Sequence, residues 1–518
     1  MFSSVLTGCV AGMEAFLLRA EVDISNGLPG FCMVGSLGNE AKEAKERVQV
    51  ALKNCGYHIP PNKITINLSP ANIRKDGTGY DVPIAVGLLQ DLGYFEEENT
   101  RNTLFIGELG LAGEIKPVSG ILPIVREASI AGISCCIVPF DNVSEGSAIP
   151  GIKVKGATHI SQLIAYLQEN EEREKDRILP TYPCVLEKIQ KENREKDNLD
   201  FEDVKGQEVA KRAAEIAAAG FHNLLMSGPP GGGKSMIARR IPGILPQLTA
   251  KECLEVSAIY SVAGMLNAET PLITGRPFRS PHHTISNAAL VGGGIKIQPG
   301  AISLAHRGVL FLDELTEFPR YILECLRQPL EEHTVSIARA NGCFSYPANF
   351  MLVCAMNPCR CGYFPDKNRC TCSEKEIKSY WNKLSGPLLD RIDMYVETAR
   401  VDLDKLQSTR KGESSESIRK KVEKARRIQE KRFRNKNYSF NAEMPAADID
   451  IFCALQKEEK QLMELAYRNL RLSARTYHRV LKVARTIADL EGCEYIQKQH
   501  IAEALAYRLT ERNDRKDG

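Results

Sequence analysis

The stretch Gly228-Pro229-Pro230-Gly231-Gly232-Gly233-Lys234-Ser235 matches the pattern G-x-x-x-x-G-K-[ST] at every fixed position. The apolar run Leu224-Leu225-Met226 before it predicts a buried strand, and residues 236–240 after it predict the start of a helix. In such a loop, backbone N–H groups surround a phosphate at the helix N-terminus, the lysine contacts the outer phosphates and the hydroxyl binds Mg²⁺. The sequence therefore predicts that residues 228–235 bind ATP and that Ser235 binds Mg²⁺.

The composition of the chain is that of a globular protein. It has 518 residues, 43% hydrophobic and 26% charged, a length that accommodates about three domains. No apolar run approaches the roughly 18 residues of a membrane helix, and Glu14 and Arg19 interrupt the only candidate signal peptide. We therefore expect a cytoplasmic protein without a membrane partner. The net charge of +3 is too small to indicate nucleic-acid binding, so that inference depends on local clusters.

Two further apolar runs end in polar side chains. Residues 308–312 lead to Asp313 and Glu314, and residues 350–356 lead to Asn357. Open α/β sheets bind ligands at the carboxyl ends of their strands. We therefore expect Asp313 to hold Mg²⁺ and Glu314 to polarise the attacking water. Asn357 is placed to contact the γ-phosphate or that water.

The first 170 residues predict a separate α/β domain in which strands and helices alternate. Lys75-Asp76-Gly77 and the segment from Leu111 to Ile121 resemble the proteolytic domain of the Lon family. The positions that hold the serine nucleophile and the lysine base in Lon proteases are Gly79 and Leu122 here. Neither residue can attack a carbonyl or accept a proton. We predict a Lon-like fold without peptidase activity and without a peptide substrate.

Changes in composition predict the remaining domain boundaries. Residues 171–200 are dense in charge and predict a linker. We expect an ATPase core over residues 201–400, a helical insert and lid over 401–510, and a frayed tail over 511–518.

Several longer stretches narrow the class of ATPase. They are Arg276 to Thr284, Val291-Gly292-Gly293-Gly294, Pro299 to His306 and Asn469 to Arg475. Together they resemble the magnesium-chelatase-like AAA+ ATPases of the ComM/YifB family over nearly the whole chain. The resemblance implies an α/β fold with an AAA+ P-loop ATPase core. It also implies a Lon-protease-like N-terminal domain of the ribosomal S5 domain 2 type and a C-terminal helical lid.

The resemblance also assigns roles to polar residues and implies a homohexameric ring. Asn357 matches sensor 1, Arg391 matches the arginine finger and Arg475 matches sensor 2. Arginine suits such roles because its planar fork stays charged and meets phosphate oxygens in pairs. In this branch Arg475 is expected to act on the adjoining subunit's site. An ion pair of Arg391 with Asp390 or Asp393 within the subunit is the alternative.

Two basic features predict contact with DNA. A hairpin predicted from Thr334 to Tyr346 turns at an Asn-Gly pair, matches the family's pre-sensor hairpin and carries Arg339 beside its tip. There Arg339 either contacts a phosphate backbone or is a surface arginine that pairs with acidic neighbours. A helix predicted from Ile418 to Lys436 carries Arg426 and Arg427 within the strongest basic run of the chain. Such a run either grips DNA electrostatically or is a solvated helix face, and the sequence favours neither.

A glycine-rich segment from about residue 262 to residue 300 occupies the place of the family's helix-2 insert. It includes Arg276, Arg279, His282 and His283. The two histidines either contact the substrate or form a structural pair.

Four of the sixteen cysteines lie in Cys359-Arg360-Cys361 and Cys370-Thr371-Cys372. Four thiolates suffice for a structural zinc site, and the turn-forming residues between the pairs allow them to meet. The C-x-C spacing departs from the common C-x-x-C, so four reduced thiols without metal are the alternative. We predict structural Zn²⁺ with no open ligand position for catalysis.

The residues alone predict an oligomeric ATPase and leave its mechanical substrate open; together with the family resemblance they imply an ATP-dependent hexameric DNA motor. The family resemblance implies a helicase that promotes branch migration in the recombination of incoming DNA during natural transformation, with single-stranded, duplex or branched DNA as partner. The alternative is a chelatase-like ATPase that remodels a protein partner. A third possibility, an ATP-dependent protease, is opposed by Gly79 and Leu122.

Overall fold

The computed structural model describes residues 2–186, 199–294, 297–339, 342–400 and 412–508. Two separate sheets and a group of C-terminal helices dominate this part of the chain. The predicted tail and part of the predicted linker lie outside the described residues.

A mixed eight-stranded sheet forms the front domain. In spatial order its strands are Thr181–Tyr182, Lys153–Ala157, Cys135–Pro139, Thr103–Phe105, Phe2–Ala11, Glu14–Ser25, Lys63–Ser69 and Gly30–Val34. The alternation predicted for Lys63–Ser69 is present, since Ile64, Ile66 and Leu68 are buried and their neighbours are not. The accompanying helices are Asn39–Asn54, Asp81–Asp91, Ile121–Ile130, Val143–Gly146 and Ile160–Gln168.

The front domain continues into the segment predicted as a linker. Glu172–Ile178 is a helix, and Thr181–Tyr182 pairs antiparallel with Lys153–Ala157. Lys155 Nζ donates to Asp176 Oδ1 at 2.6 Å and ties this helix to the sheet. The charge density that suggested a linker over residues 171–200 therefore belongs partly to a surface helix, none of whose residues is fully buried.

Five parallel strands form the second sheet. In spatial order they are Phe278–Arg279, Val309–Leu312, Met351–Met356, Leu224–Ser227 and Met394–Glu397. Every residue of the three inner strands is buried, as expected of a parallel sheet covered on both faces. The helices that accompany the sheet are Glu208–Gly220, Lys234–Ile244, Ala250–Val262, Asn287–Val291, Ala301–Leu304, Arg320–Glu324, Arg327–Glu332, Glu374–Trp381 and Gly386–Leu389. The predicted α/β core is confirmed.

The segment assigned to the helix-2 insert contains one strand of this core. Phe278–Arg279 pairs parallel with Val309–Leu312 at the sheet edge. Arg276 is buried beside it, where its Nε donates to Pro246 O at 2.7 Å and its Nη1 to Arg307 O at 2.8 Å. Arg276 therefore belongs to the core, and the insert follows the strand, because a two-residue strand is too short to show a period in sequence.

Two small hairpins project beside the core. Gly292–Gly293 pairs with Gln298–Pro299, and Thr334–Arg339 pairs with Gly342–Pro347. Tyr346 Oη of the second hairpin donates to Ile297 O at 3.2 Å, so the hairpins lie side by side. The predicted turn residues 340 and 341 lie outside the described part of the chain.

Helices make up the C-terminal part, which confirms the predicted helical lid. They are Ser415–Arg432, Ala446–Phe452, Lys457–Asn469, Ala474–Glu491 and Lys498–Ala506. The helix that carries Arg475 begins at Ala474, because Ser473 caps it by accepting from Thr476 N and Arg471 has a φ of +46°. None of the helices in the described ranges combines the length and hydropathy of a membrane span.

Candidate active site

The phosphate loop joins the strand Leu224–Ser227 to the helix Lys234–Ile244. Gly231 and Gly233 both have a φ of +76°, a backbone conformation that glycine adopts without strain. A Cβ at Gly228 would lie 2.0 Å from Thr398 Oγ1, so this position also requires glycine. The sequence pattern therefore meets real backbone requirements at these glycines.

The side chain of Lys234 folds back onto the phosphate loop that precedes it. Its Nζ donates to Gly228 O at 2.7 Å, to Pro229 O at 3.0 Å and to Asn357 Oδ1 at 3.3 Å. Burial lowers the pKa of Lys234, while the nearby Asp313 carboxylate acts in the opposite direction. The predicted phosphate-binding lysine and the predicted sensor amide are thus in contact.

The predicted magnesium ligands also come together. Ser235 Oγ donates to Asp313 Oδ2 at 2.6 Å, and Asp313 Oδ1 accepts from the backbone N–H of Glu314 at 2.9 Å. The parallel pairing of neighbouring strands brings these residues to one edge of the sheet. A hydroxyl and a carboxylate this close are oxygen donors that suit Mg²⁺, so the residues present fit the ion.

Glu314 is held in an unusual backbone conformation beside a histidine. Its φ of +51° is rare for a non-glycine residue, and its side chain is 62% exposed. His283 Nδ1 lies 3.8 Å from Glu314 Oε2, and the His283 ring lies 4.0 Å from that of His282. The sequence left two roles open for these histidines, contact with the substrate or a structural pair. It gave no signal that His283 neighbours the predicted catalytic carboxylate.

Arg391 and Arg475 lie together on a different surface, where both contact Glu331. Arg391 Nη2 pairs with Glu331 Oε1, and Arg475 Nη2 lies 3.4 Å from the same oxygen. Both arginines line a cavity of about 290 Å³ that also includes Arg479 and Lys482. The intrasubunit partner of Arg391 is thus Glu331, and neither aspartate considered from the sequence pairs with it among the described residues.

This cavity lies at the amino-terminal end of the strand Leu224–Ser227, whereas the phosphate loop lies at its carboxyl-terminal end. Asn223, which precedes the strand Leu224–Ser227, donates from Nδ2 to Arg391 O at 2.8 Å. The phosphate loop follows the other end of the same strand. Arg391 and the loop are therefore separated by the length of the strand.

The four cysteines form one cluster. Cys359 Sγ lies 3.3 Å from Cys361 Sγ and 3.7 Å from Cys370 Sγ, and all four sulfur atoms, including that of Cys372, lie within 4.8 Å of one another. A tetrahedral site with metal–sulfur bonds of about 2.3 Å requires sulfur–sulfur distances of roughly 3.8 Å. The cluster therefore has the chemistry and the spacing to hold one metal ion.

The residues predicted to contact DNA differ in exposure. Arg339 and Arg427 are exposed. The Arg426 side chain is only 11% exposed, pairs with Glu430 at 3.4 Å and lies 4.0 Å from the centre of the Phe440 ring. Arg426 therefore packs within the C-terminal helices, and its neighbour Arg427 faces solvent.

Leu122, which the Lon resemblance places at the position of the lysine base, contacts the ATPase core. Leu122 is buried, and its N–H donates to Glu145 Oε1 at 3.0 Å. Ser261, on the helix Ala250–Val262 of the core, donates from Oγ to the same oxygen at 2.5 Å. Burial raises the pKa of Glu145, although Ser261 and its other donors oppose that shift. These contacts therefore connect two domains.

The phosphate loop, the Ser235–Asp313 pair and the parallel sheet that joins them define a P-loop ATPase of the AAA+ class. Two protein-family models of the magnesium chelatase subunit ChlI match residues 200–406 and 20–142 of this chain. A third, for the ChlI C-terminal part, matches residues 412–508. The protein belongs to the magnesium-chelatase-like ATPases of the ComM/YifB family.

Similar proteins span almost the same length. Competence protein ComM of Haemophilus influenzae is 41% identical over 499 residues, which cover 96% of this chain and 95% of ComM. YifB of Escherichia coli is 42% identical over 518 residues, covering 98% of this chain and 97% of YifB. Lon protease 2 of Bacillus subtilis is 25% identical over 145 residues, 26% of each chain, in agreement with the Lon-like front domain.

Proposed function

We propose that this protein is a cytoplasmic, ATP-dependent hexameric motor that moves along DNA. Its activity in this proposal is that of a helicase that promotes branch migration during recombination of incoming DNA. The ATP site supports the motor activity. The similarity to competence protein ComM supports a role in natural transformation.

A row of exposed cations on the helix Ser415–Arg432 carries the DNA part of the proposal. Lys420, Lys424, Arg427 and Lys431, here called the basic stripe, follow one another at spacings of four, three and four residues. This spacing places them on one helix face. Lys420 pairs with Glu416, but among the described residues no carboxylate lies within 4.0 Å of the other three. Such a face suits a phosphate backbone.

The paired hairpins offer a second contact. A Cβ built on Gly293 of the first hairpin would lie 3.0 Å from Arg339 Nη2 of the second, so Arg339 bridges the two. In a ring, adjacent hairpins of this kind suit a substrate that passes through the centre.

Charge reversal tests the basic stripe. Lys424→Glu, Arg427→Glu and Lys431→Glu together are expected to weaken DNA binding in fluorescence anisotropy and to reduce the slope of log affinity against log salt by about 0.9 per lost duplex contact. The matched control reverses the same charge at the exposed residues Lys457, Lys460 and Arg468. Equal affinity and slope in the two variants would remove the stripe from the proposal.

Steady-state ATP hydrolysis tests the motor itself. DNA should stimulate turnover, and Glu314→Gln should abolish it because the water would lose its polarising carboxylate. Branched DNA, duplex and single strands are compared in parallel. Equal ATP turnover with and without each DNA would instead favour the second candidate, an ATPase that remodels a protein partner. The match to ChlI supports that candidate.

We further propose Mg²⁺ at Ser235 and Asp313 and structural Zn²⁺ at Cys359, Cys361, Cys370 and Cys372. When bound, Mg²⁺ would neutralise phosphate charge, and Zn²⁺ would cross-link the loop that carries its ligands. Arg391 and Arg475 complete the neighbouring subunit's ATP site in this proposal. The Lon-like domain takes no peptide substrate, and ATP-driven cleavage of casein would contradict that statement.

A further inference from the structure

The four-cysteine loop is anchored to the ATP site at its beginning. It occupies residues 357–373, between the strand Met351–Met356 and the helix Glu374–Trp381. Its first residue, Asn357, accepts a hydrogen bond from Lys234, and Cys359 follows two residues later. Cys359 is fully buried. The first thiol is thus fixed close to the residues that bind nucleotide.

The middle of the loop touches the phosphate loop directly. A Cβ built on Gly362 would lie 2.8 Å from Pro230 Cδ and 3.1 Å from Pro230 Cγ. Gly362 N donates to Cys359 O at 3.0 Å, so the turn that makes this contact is the one that carries the first two cysteines. Any movement of that turn changes the packing on Pro230.

The helix that follows the loop, Glu374–Trp381, is anchored both to the segment after Glu314 and to the start of the loop. Tyr380 Oη accepts from Thr316 Oγ1 at 2.6 Å, and Trp381 Nε1 donates to Pro358 O at 3.0 Å. Thr316 lies two residues after Glu314. The thiol cluster therefore sits between contacts to three parts of the ATP site.

We propose that a thiophilic divalent ion held by the four cysteines stabilises the phosphate loop, so that metal occupancy and ATP affinity are coupled. This inference rests on the ATP and zinc sites of the proposed function. A bound ion fixes the turn at Gly362 against Pro230. Without the ion, nothing cross-links the two cysteine pairs, and the turn at Gly362 loses that support.

Nucleotide binding without DNA tests the coupling. Protein stripped with a chelator under reducing conditions is supplied again with Mg²⁺, with or without Zn²⁺, and a fluorescent non-hydrolysable ATP analogue is titrated. Coupling free energies between sites commonly correspond to about 5- to 150-fold in affinity, so we expect tighter binding within that range when Zn²⁺ is present. Equal affinities with and without Zn²⁺ overturn the proposal.

Linkage supplies a second readout that does not depend on activity. If Zn²⁺ or Co²⁺ tightens nucleotide binding by some factor, nucleotide must tighten metal binding by the same factor. Co²⁺ titration, followed through thiolate-to-cobalt absorption, measures that factor. Absence of tetrathiolate absorption, or cobalt affinity indifferent to nucleotide, overturns the proposal.

Two variants separate the contact from the metal site. Gly362→Ala should keep the cobalt absorption but weaken nucleotide binding, because a side chain at this φ of +86° strains the turn and its methyl group would lie 2.8 Å from Pro230 Cδ. The control Cys32→Ser changes an exposed thiol outside the cluster and should alter neither measurement. Because no DNA is present, failure of the DNA motor proposal would leave these outcomes unchanged.

Discussion

Two inactive variants, Arg391→Ala and Glu314→Gln, are expected to restore ATP hydrolysis when they are mixed in one ring. The strand between Asn223 and Gly228 has four residues, a span of roughly 13 Å at about 3.3 Å each. Arg391 is tied to one end of this strand through Asn223, and the phosphate loop follows the other end. An arginine side chain is shorter than that span, so in the proposed ring Arg391 would serve a neighbouring subunit's nucleotide.

The magnitude of the restored activity follows from ring geometry. Alone, Arg391→Ala should lose on the order of 10³ to 10⁵ in kcat, the usual contribution of an arginine finger. In a random equimolar mixture, about one quarter of head-to-tail interfaces combine an intact Glu314 with an intact Arg391 from the next subunit. We therefore expect about one quarter of wild-type turnover per site, since each competent interface acts independently in this estimate.

The matched control mixes Glu314→Gln with Lys234→Ala. Both changes damage the same subunit's site, so no interface in the mixed ring is complete and turnover should stay at the level of the separate variants. Native mass spectrometry verifies that mixed rings form. Mixed rings of Arg391→Ala and Glu314→Gln without recovery would refute the assignment of Arg391 to the neighbouring site.

Two further predictions concern stability. His306, whose Nε2 lies 3.8 Å from Glu255 Oε2, and the neighbouring Arg307 guanidinium hold the pKa of Glu255 at about 2 against an ordinary 4.5, so its contribution is complete above pH 4.5 and is lost as the pH falls from about 4.5 to 2. Glu255→Gln should remove roughly 2 kcal/mol of this acid-sensitive stability, discounted for a side chain 28% exposed, and an unchanged acid unfolding curve would contradict the assignment. Ser261→Ala removes a donor to the buried Glu145 carboxylate and should lower the free energy of unfolding in urea by about 1.5–3 kcal/mol. The exposed Ser36→Ala control should stay within about 0.5 kcal/mol of wild type, and equal losses in both variants would refute the role of Ser261.

Much of the nucleotide site was predictable because its signals are local. The glycine pattern at 228–235 reflects backbone conformations within eight residues, and long apolar runs identify buried strands wherever they occur. Asp313 and Asn357 follow such strands directly, and parallel strands place their ends at one edge. The Ser235–Asp313 contact therefore followed from pattern and topology together.

Errors arose where the signal was short or compositional. The strand Phe278–Arg279 has two residues and therefore no detectable period. The predicted insert, from about residue 262 to residue 300, consequently included a strand that belongs to the core. Charge density at Glu172–Ile178 suggested a linker, but charged residues also cover exposed helices. Neither feature has a local signature that separates the two interpretations.

By itself, the sequence determined the class of ATPase, the phosphate loop and the carboxylates at the strand end. It also showed that Gly79 and Leu122 stand where the Lon resemblance places a nucleophile and a base. Only the tertiary structure decided that Arg391 pairs with Glu331 and that Gly362 rests on Pro230. The physical reason is that motifs depend on backbone geometry within a few residues. The contact of Arg391 with Glu331 joins residues 60 positions apart, and the contact of Lys234 with Asn357 joins residues 123 positions apart. Such contacts depend on the path of the whole chain, which no local pattern encodes.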